Sequence, residues 1–440
     1  MNDSDATRTA QPVSRVLPER RPGIARQAPR LLILAKDTFP PFRVDVSVLF
    51  GRELSSRGFH IDWIMQSEQP RPADAHCRWN GGVVWVGRTN RGESRLARVH
   101  KHWLDLLNDL RVLRLARPGE YDIVQVRDKS LAALPALWAA RRSGAAFVYW
   151  LSFPEPESST YLAKIGAARF PLLYRLRGWV LFHLLYRYVL PRADRVFVQS
   201  EQMKADLVSY GLPESRLVPV PMGVDLTDFE GIPIEPPPQD EPPTIAYLGT
   251  LAAERRIDFL VRCLALVLNE RPDARLLLVG DADRMADLEL LKSEARRLGI
   301  LDHIEITGFL PRRQALRRVA RATVCVSPFF PTPILNSTSP TKLVEYMALN
   351  RPVVANDHPE QRLVIEASAG GLCVPWDERA FAKAILTVIG DPAEAEQMGK
   401  RGRAYVEAHR DYKRIATWVE REYHDTVDRR ASGKLASRVS

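Results

Sequence analysis

Short, unbroken apolar runs recur along the chain with helix-patterned segments between most of them, and this alternation limits the fold more than any other feature. "RLLILAKD", "FHIDWIM", "GGVVWVG", "YDIVQVR", "AAFVYWLS" and "RVFVQS" each read as a strand. Helical spacing fills "VDVSVLFGRELSSRG", residues 96–112, 130–142 and 161–190, and "EQMKADLVSYG". Strands without polar alternation are buried on both faces, as in parallel sheets covered by crossover helices. The pattern restarts at "TIAYLGT" and continues through "ARLLLVGD", "IEITGF", "TVCVSPF" and "PVVAND", with helices expected over 254–269, 284–298 and 311–321. Between the halves, "EGIPIEPPPQDEPP" is proline-rich and acidic, the composition of an extended, stiff connector.

The expected fold class is therefore α/β, with two doubly wound, Rossmann-like domains facing an interdomain cleft. The expected boundaries are a disordered basic tail over 1–29, a first domain over 30–228, a linker over 229–243 and a second domain over 244–410. A terminal helix over 411–430 crosses back to the first domain, and 431–440 is a second disordered tail.

A formal net charge of +10 favours anionic partners as a class: phosphates, acidic lipids or nucleic acid. The N-terminal segment lacks the apolar run of a signal peptide, and Cys77, Cys263, Cys325 and Cys373 are scattered without metal-ligand spacing. Both observations suit a cytoplasmic chain with reduced thiols. The basic tail reads as solvated, so no nucleic-acid partner is assigned. "FPLLYRLRGWVLFHLLYRYVL", residues 170–190, mixes leucines and aromatics with Arg175, Arg177 and Arg187. Those charges argue against a spanning helix and leave two readings, a helix packed in the domain core or a membrane-surface helix with snorkelling arginines.

In sheets of this type, ligands collect outside the carboxyl ends of the strands. Two segments there carry chemistry. In "SPTKLVEYMALNRPVVAND", Ser339 is a good N-cap, Pro340 suits the first helical position, and Asn350 suits a left-handed stop. Leu343, Val344 and Met347 then share one face, while Thr341, Lys342 and Glu345 share the other. A surface Lys342–Glu345 pair is the plain reading. The small polar residues before the helix favour a ligand, because its free N–H groups point where an anion would lie. The second segment is "LGTLAAERRIDFL", where Gly249 admits close backbone approach and Arg255 and Arg256 open the next helix. The planar fork of arginine matches a diphosphate. Asp281 and Asp283 fall in a loop and are read as no metal site.

The ordered set "ADRVFVQSEQMKADLVSYGLPESRLVPVPMGVDLTDF", "IAYLGTLAAERRIDFL", "ARLLLVGD", "IEITGFLP" and "SPTKLVEYMALNRPVVA" resembles family 4 glycosyltransferases of the GT-B fold over nearly all of residues 31–425. The last segment resembles a subgroup with an SPxKLxEYMA motif. The resemblance implies a metal-independent hexosyltransferase that retains configuration and needs no cofactor, with a nucleotide-sugar donor held by the second domain. It also implies a glycan acceptor on the first domain. With the positive charge, that acceptor is expected to be lipid-linked, in exopolysaccharide or lipopolysaccharide-type assembly at the inner face of the membrane.

By motif, Arg255, Lys342 and Glu345 are assigned to catalysis, Glu345 also contacting the donor ribose. Donor binding falls to Gly249, Thr250, Arg256, Ser337, Ser339, Pro340 and Thr341, with Thr307, Gly308 and Phe309 near the base. Arg43 and Ser152 stand on the acceptor side. Three positions depart from the family pattern. Ser337 stands where many members carry the first of two glutamates, Thr250 replaces an arginine, and Arg43 and Val44 replace paired glycines. A GT-B nucleotide-sugar epimerase, or a relative that binds nucleotide sugars without turnover, is the alternative reading.

Overall fold

The computed structural model describes residues 28–70, 73–89, 94–238 and 240–439. Of the tail expected over 1–29, residues 1–27 therefore lie outside the described residues. Eight strands make the first sheet: β1 (Arg30–Phe39), β2 (His60–Ser67), β3 (Ala75–Trp79), β4 (Gly82–Gly87), β5 (Ile123–Arg127), β6 (Ala146–Leu151), β7 (Arg195–Val198) and β8 (Leu217–Pro219). Their spatial order is β3-β4-β2-β1-β5-β6-β7-β8. Every pair is parallel except β3 with β4. The second sheet holds β9 (Thr244–Leu248), β10 (Arg275–Val279), β11 (Ile304–Ile306), β12 (Val324–Ser327), β13 (Val353–Asn356) and β14 (Gly371–Val374). It is wholly parallel in the order β11-β10-β9-β12-β13-β14.

The runs read as strands are buried for the expected reason. Leu31 to Ala35 of β1 are fully buried, with alternate residues in the two cores on opposite faces of the sheet. Helix Ala133–Ser143 helps cover one face; helix Asp45–Leu54, with wide π-type turns, and the C-terminal helix cover the other.

Four elements differ from the sequence reading. Strand β3 was not expected; it pairs antiparallel with β4 through Asn80 and Gly81, both at positive φ, the signature of an Asn-Gly hairpin turn. The region 161–190 begins earlier and is broken, into helices Glu155–Lys164, Pro171–Phe182 and His183–Val189. Arg255 and Arg256 do not open a helix: Ala253–Arg255 is a tight 3-10 turn, Arg256 is left-handed at φ 54°, and the helix runs Asp258–Val267. The last helix, Tyr412–Val439, continues through the segment read as a tail.

The chain passes between the domains at two adjacent places. Val224 N–H donates to Arg410 O at 2.8 Å and Tyr412 N–H donates to Val224 O at 3.0 Å. Beyond this crossing the terminal helix lies on the first domain, where Tyr423 Oη donates to Gln125 Oε1 at 2.6 Å and Arg57 meets Glu420 at 2.8 Å. The proline-rich connector is held to the second domain by Arg351, whose fully buried guanidinium donates to Glu235 O at 2.8 Å and also to Ile234 O.

Candidate functional site: two carboxyl edges across a cleft

The carboxyl ends of the two sheets meet. Ser200, just after β7, donates through Oγ to Ser337 O at 2.7 Å, and Met222 N–H donates to Ser339 Oγ at 3.0 Å. Ser337 Oγ donates to Asp206 Oδ2 at 2.5 Å, so the first domain places a carboxylate beside position 337. A cavity of about 320 Å³ lies at this junction, lined by Glu157, Asp206 and Tyr210 from one domain and Asn336 and Ser337 from the other.

On the second domain, β9 ends at Gly249, where φ is 148°. A Cβ there would lie 2.2 Å from Lys342 Cε and 2.9 Å from its Nζ, so the glycine is what lets the lysine cross the strand end. The loops after β9 and β10 are tied backbone to backbone, with Gly249 N–H donating to Val279 O at 2.9 Å and Leu251 N–H donating to Asp281 O at 2.8 Å. Lys342 Nζ sits 5.6 Å from the Tyr247 ring centroid and 5.8 Å from that of Phe329. Burial first, then the neighbouring Arg255 charge, lower its pKa to about 8, against a smaller opposing effect of Glu345. Among the described residues, no carboxylate is within ion-pair distance of Lys342 or Arg255. Lys342 and Arg255 thus stand as two unneutralised cations near the end of β9.

The helix bearing Lys342 runs Thr341–Ala348 with Pro340 at its N-cap and no side-chain cap. Ser339 is therefore not the cap; its hydroxyl is taken by Met222 N–H from across the cleft. No side chain caps the first N–H groups of the helix. Asn350 provides the left-handed stop at φ 61°. Lys342 and Glu345 do not pair. Glu345 Oε1 accepts from Arg312 Nη1 at 2.8 Å, and Arg312 Nε also donates to Asp228 Oδ2 at 2.7 Å. Sequence reading missed Arg312. Its signal was "PRRQAL", where two arginines stand at a helix N-terminus, the wrong end for a cation unless carboxylates hold them.

The other residues that the motif resemblance assigns to the donor surround these loops. Thr250 is exposed next to Gly249, and its carbonyl accepts from Tyr247 Oη at 3.3 Å. Arg256 is taken up by Asp258, at 3.4 Å, and by the Phe330 ring, 5.2 Å from its guanidinium carbon. Thr307 Oγ1 accepts from Gly280 N–H at 3.3 Å and donates to Gly308 O at 2.8 Å, while Phe309 is 80% exposed at the edge of the sheet.

On the first domain, Arg43 and Ser152 flank one charged cluster. Arg43 Nε donates to Asp45 Oδ1 at 3.2 Å; Ser152 donates to Asp128 through N–H, at 2.7 Å, and through Oγ. The fully buried Arg127 joins them, meeting Asp37 at 3.1 Å and Asp45 at 2.7 Å. Burial pushes the Asp45 carboxyl up, but Arg127 and Arg43 overcome it and hold the pKa below the usual range. Asp128 is raised, because burial outweighs Arg127 and its bonds from Ser152.

A family model described as "Glycosyltransferase Family 4" matches residues 46–228, and one described as "Glycosyl transferases group 1" matches 242–391. The chain belongs to the family 4 glycosyltransferases. Their GT-B architecture is the one described above: the sucrose-phosphate synthase of Thermosynechococcus elongatus superposes with a TM-score of 0.67 at 19% identity, covering 90% of this chain and 98% of that one. HepE of Anabaena, solved in complex with UDP, superposes at 0.63 and 16% identity, over 90% and 100% of the two chains. Among curated relatives, the alpha-monoglucosyldiacylglycerol synthase of Streptococcus pneumoniae is 25% identical over 63% of this chain and 61% of its own length. The alpha-D-kanosaminyltransferase of Streptomyces kanamyceticus is 26% identical over 37% of this chain and 40% of its own. The chain thus spans about two fifths to three fifths of those relatives. It spans 83% of a GDP-mannose-dependent alpha-(1-6)-phosphatidylinositol monomannoside mannosyltransferase of Mycolicibacterium smegmatis, at 25% identity over 74% of this chain.

For this family 4 glycosyltransferase, Gly249→Ala separates the cation site from the fold. The added methyl displaces the Lys342 side chain and strains a backbone at φ 148°. Stabilisation by a nucleotide sugar is expected to weaken by about tenfold or more in apparent affinity, with native circular dichroism retained. An unchanged thermal shift would show that Lys342 does not need its path across Gly249.

Proposed function

We propose that the chain transfers a hexose from a nucleotide sugar to a lipid-linked glycan, with retention at the anomeric carbon and without a metal ion. The step belongs to exopolysaccharide or lipopolysaccharide-type assembly at the cytoplasmic face of the membrane. The observation that carries this reading is the pair Lys342 and Arg255, unneutralised beside Gly249 and the open N-terminus of the helix Thr341–Ala348. In this reading they hold the donor diphosphate and stabilise the charge that develops on it as the glycosidic bond breaks, which is the service a metal would otherwise give. Glu345 takes the ribose hydroxyls through the oxygen that Arg312 leaves free, and Thr307, Gly308 and Phe309 frame the base. Thr250 and Arg256 border the diphosphate, and Ser337, Ser339, Pro340 and Thr341 set the loop that faces the sugar. The cluster at Arg43 and Ser152 orients the acceptor. A lipid-borne acceptor is supported by two relatives whose names specify diacylglycerol and phosphatidylinositol products or substrates.

The test is a thermal-shift panel of nucleotide sugars, followed by transfer to lipid-linked acceptors with the product anomer read by NMR. Stabilisation by one donor class and an unchanged anomeric configuration are expected. Donor-only epimerisation, or binding without any transfer, would move the chain to one of its non-transferring alternatives.

A further inference from the structure

Three helices on one side of the first sheet turn large apolar side chains outward. Helices Arg95–Asp109, Ala133–Ser143 and Pro171–Phe182 lie in the connections from β4 to β5, β5 to β6 and β6 to β7. Right-handed crossovers along this strand order put all three on the face opposite the C-terminal helix. On the first helix Leu96, Val99, Trp103 and Leu107 recur at spacings of three and four, the pattern of a core stripe, yet all are exposed, Leu96 by 84%. The same helix meets the domain through Leu104 and through Asn108, whose Nδ2 donates to Met65 O at 2.9 Å. Trp138 and Leu134 are exposed on the second helix, and Leu172, Leu176 and Trp179 on the third, Leu172 by 79%. Single exposed hydrophobics are ordinary; sets of them on three helices of one side mark a surface that something covers.

The charges beside them select the partner. Arg142 lies over the Trp138 ring at 4.8 Å, Arg169 over Phe170 at 5.5 Å and Arg192 over Tyr188 at 4.1 Å. Among the described residues, none of these arginines has a carboxylate within ion-pair distance. Helices Ala133–Ser143 and Pro171–Phe182 contain no aspartate or glutamate. A second copy of the chain docked here by a two-fold axis would bring arginine against arginine. The first 27 residues, with five arginines against three acids, are also a poor complement. Apolar tips between unneutralised arginines fit an anionic bilayer, with rings and leucines at the acyl boundary and guanidinium groups among the phosphates. No helix among the described residues is long and apolar enough to cross a membrane, so contact is at the surface.

We propose that this three-helix face docks the protein on anionic membrane, with helix Arg95–Asp109 as a principal contact beside the segment 170–190. The inference deepens the reading of a lipid-linked acceptor and rests on it for its purpose, but not for its measurement. The full chain is mixed with vesicles of phosphatidylcholine containing about 30 mol% phosphatidylglycerol, with and without brominated acyl chains. Co-sedimentation that falls in high salt, and quenching of tryptophan emission by the brominated lipid, are expected. Trp103→Glu and Leu172→Glu, each on an exposed position, should each weaken vesicle binding by at least about tenfold without moving the melting temperature.

Undiminished binding in the double variant overturns the proposal. So does a chain that ignores vesicles but forms a dimer that Trp103→Glu dissolves. Nucleotide-sugar stabilisation in solution, read on the same proteins, keeps the two readings apart. Its absence in every protein sinks the transferase reading and leaves the docking face standing. Its presence beside unaltered vesicle binding in the double variant sinks the docking face alone.

Discussion

Lys342→Met is expected to reduce transfer by about two to three orders of magnitude and to abolish most of the stabilisation given by a nucleotide sugar. The same substitution should raise the melting temperature of the unliganded protein. Methionine keeps the stem that crosses Gly249 but removes a cation that has Arg255 as a neighbour and, among the described residues, no carboxylate within ion-pair distance. In the proposed reading, the bound diphosphate relieves that repulsion. A purely structural lysine predicts the opposite pair of results: a less stable free protein and an unchanged ligand shift. Arg255→Ala should behave in the same direction with a smaller gain in stability, since Arg255 is less buried. Differential scanning fluorimetry with and without donor decides between the two readings, and a Lys342→Met protein that keeps its full ligand shift would remove the diphosphate site from this loop.

The sequence made these two loops legible because the signals were local. A glycine closing an apolar strand, and a short helix opening after small polar residues, are properties of neighbouring residues. What it could not carry was the partner of each charge. Lys342 and Glu345 stand three apart on a helix and should meet; instead the lysine is drawn across Gly249 to the end of β9, and the glutamate is drawn to Arg312 and through it to Asp228. Ser339 obeys the local capping preference in sequence and loses it in the fold, because Met222 N–H, far away in the chain, claims its hydroxyl. Arg127 ends an apolar strand and reads as a boundary residue; it is fully buried because Asp37 and Asp45 reach it from the end of β1 and the helix after it. Strand β3 was missed for a different reason. It is an edge strand of mixed polarity, "AHCRW", with no continuous apolar run, although the Asn-Gly turn beside it was readable.

With a free-state pKa of about 8 against an ordinary 10.5, Lys342 is expected to make donor binding pH-dependent if it faces the diphosphate as proposed. The shift comes from burial and from Arg255, with Glu345 opposing, and Tyr247 beside it is pushed up to about 12 by burial and stays neutral throughout. Below pH 8 the lysine is charged in both the folded and unfolded chain, and the folded state bears the full burial penalty. Between about 8 and 10.5 the folded chain has released a proton that the unfolded chain still holds, so stability contributed by this group increases with pH. Donor binding runs the other way. A diphosphate favours the charged lysine, so affinity is constant below pH 8 and falls above it, towards tenfold per pH unit, because each binding event must then take up a proton. A nucleotide sugar is the right probe, since its diphosphate diester is fully ionised across the window. Titration calorimetry in buffers of different ionisation enthalpy should count proton uptake that rises from near zero at pH 7 towards one per donor at pH 9.5. Lys342→Met should show neither the uptake nor the fall in affinity, and Arg255→Ala should move the break to higher pH because one of the two causes of the shift is gone. An affinity that stays flat to pH 10 in the unaltered protein would mean that Lys342 does not face the donor's charge.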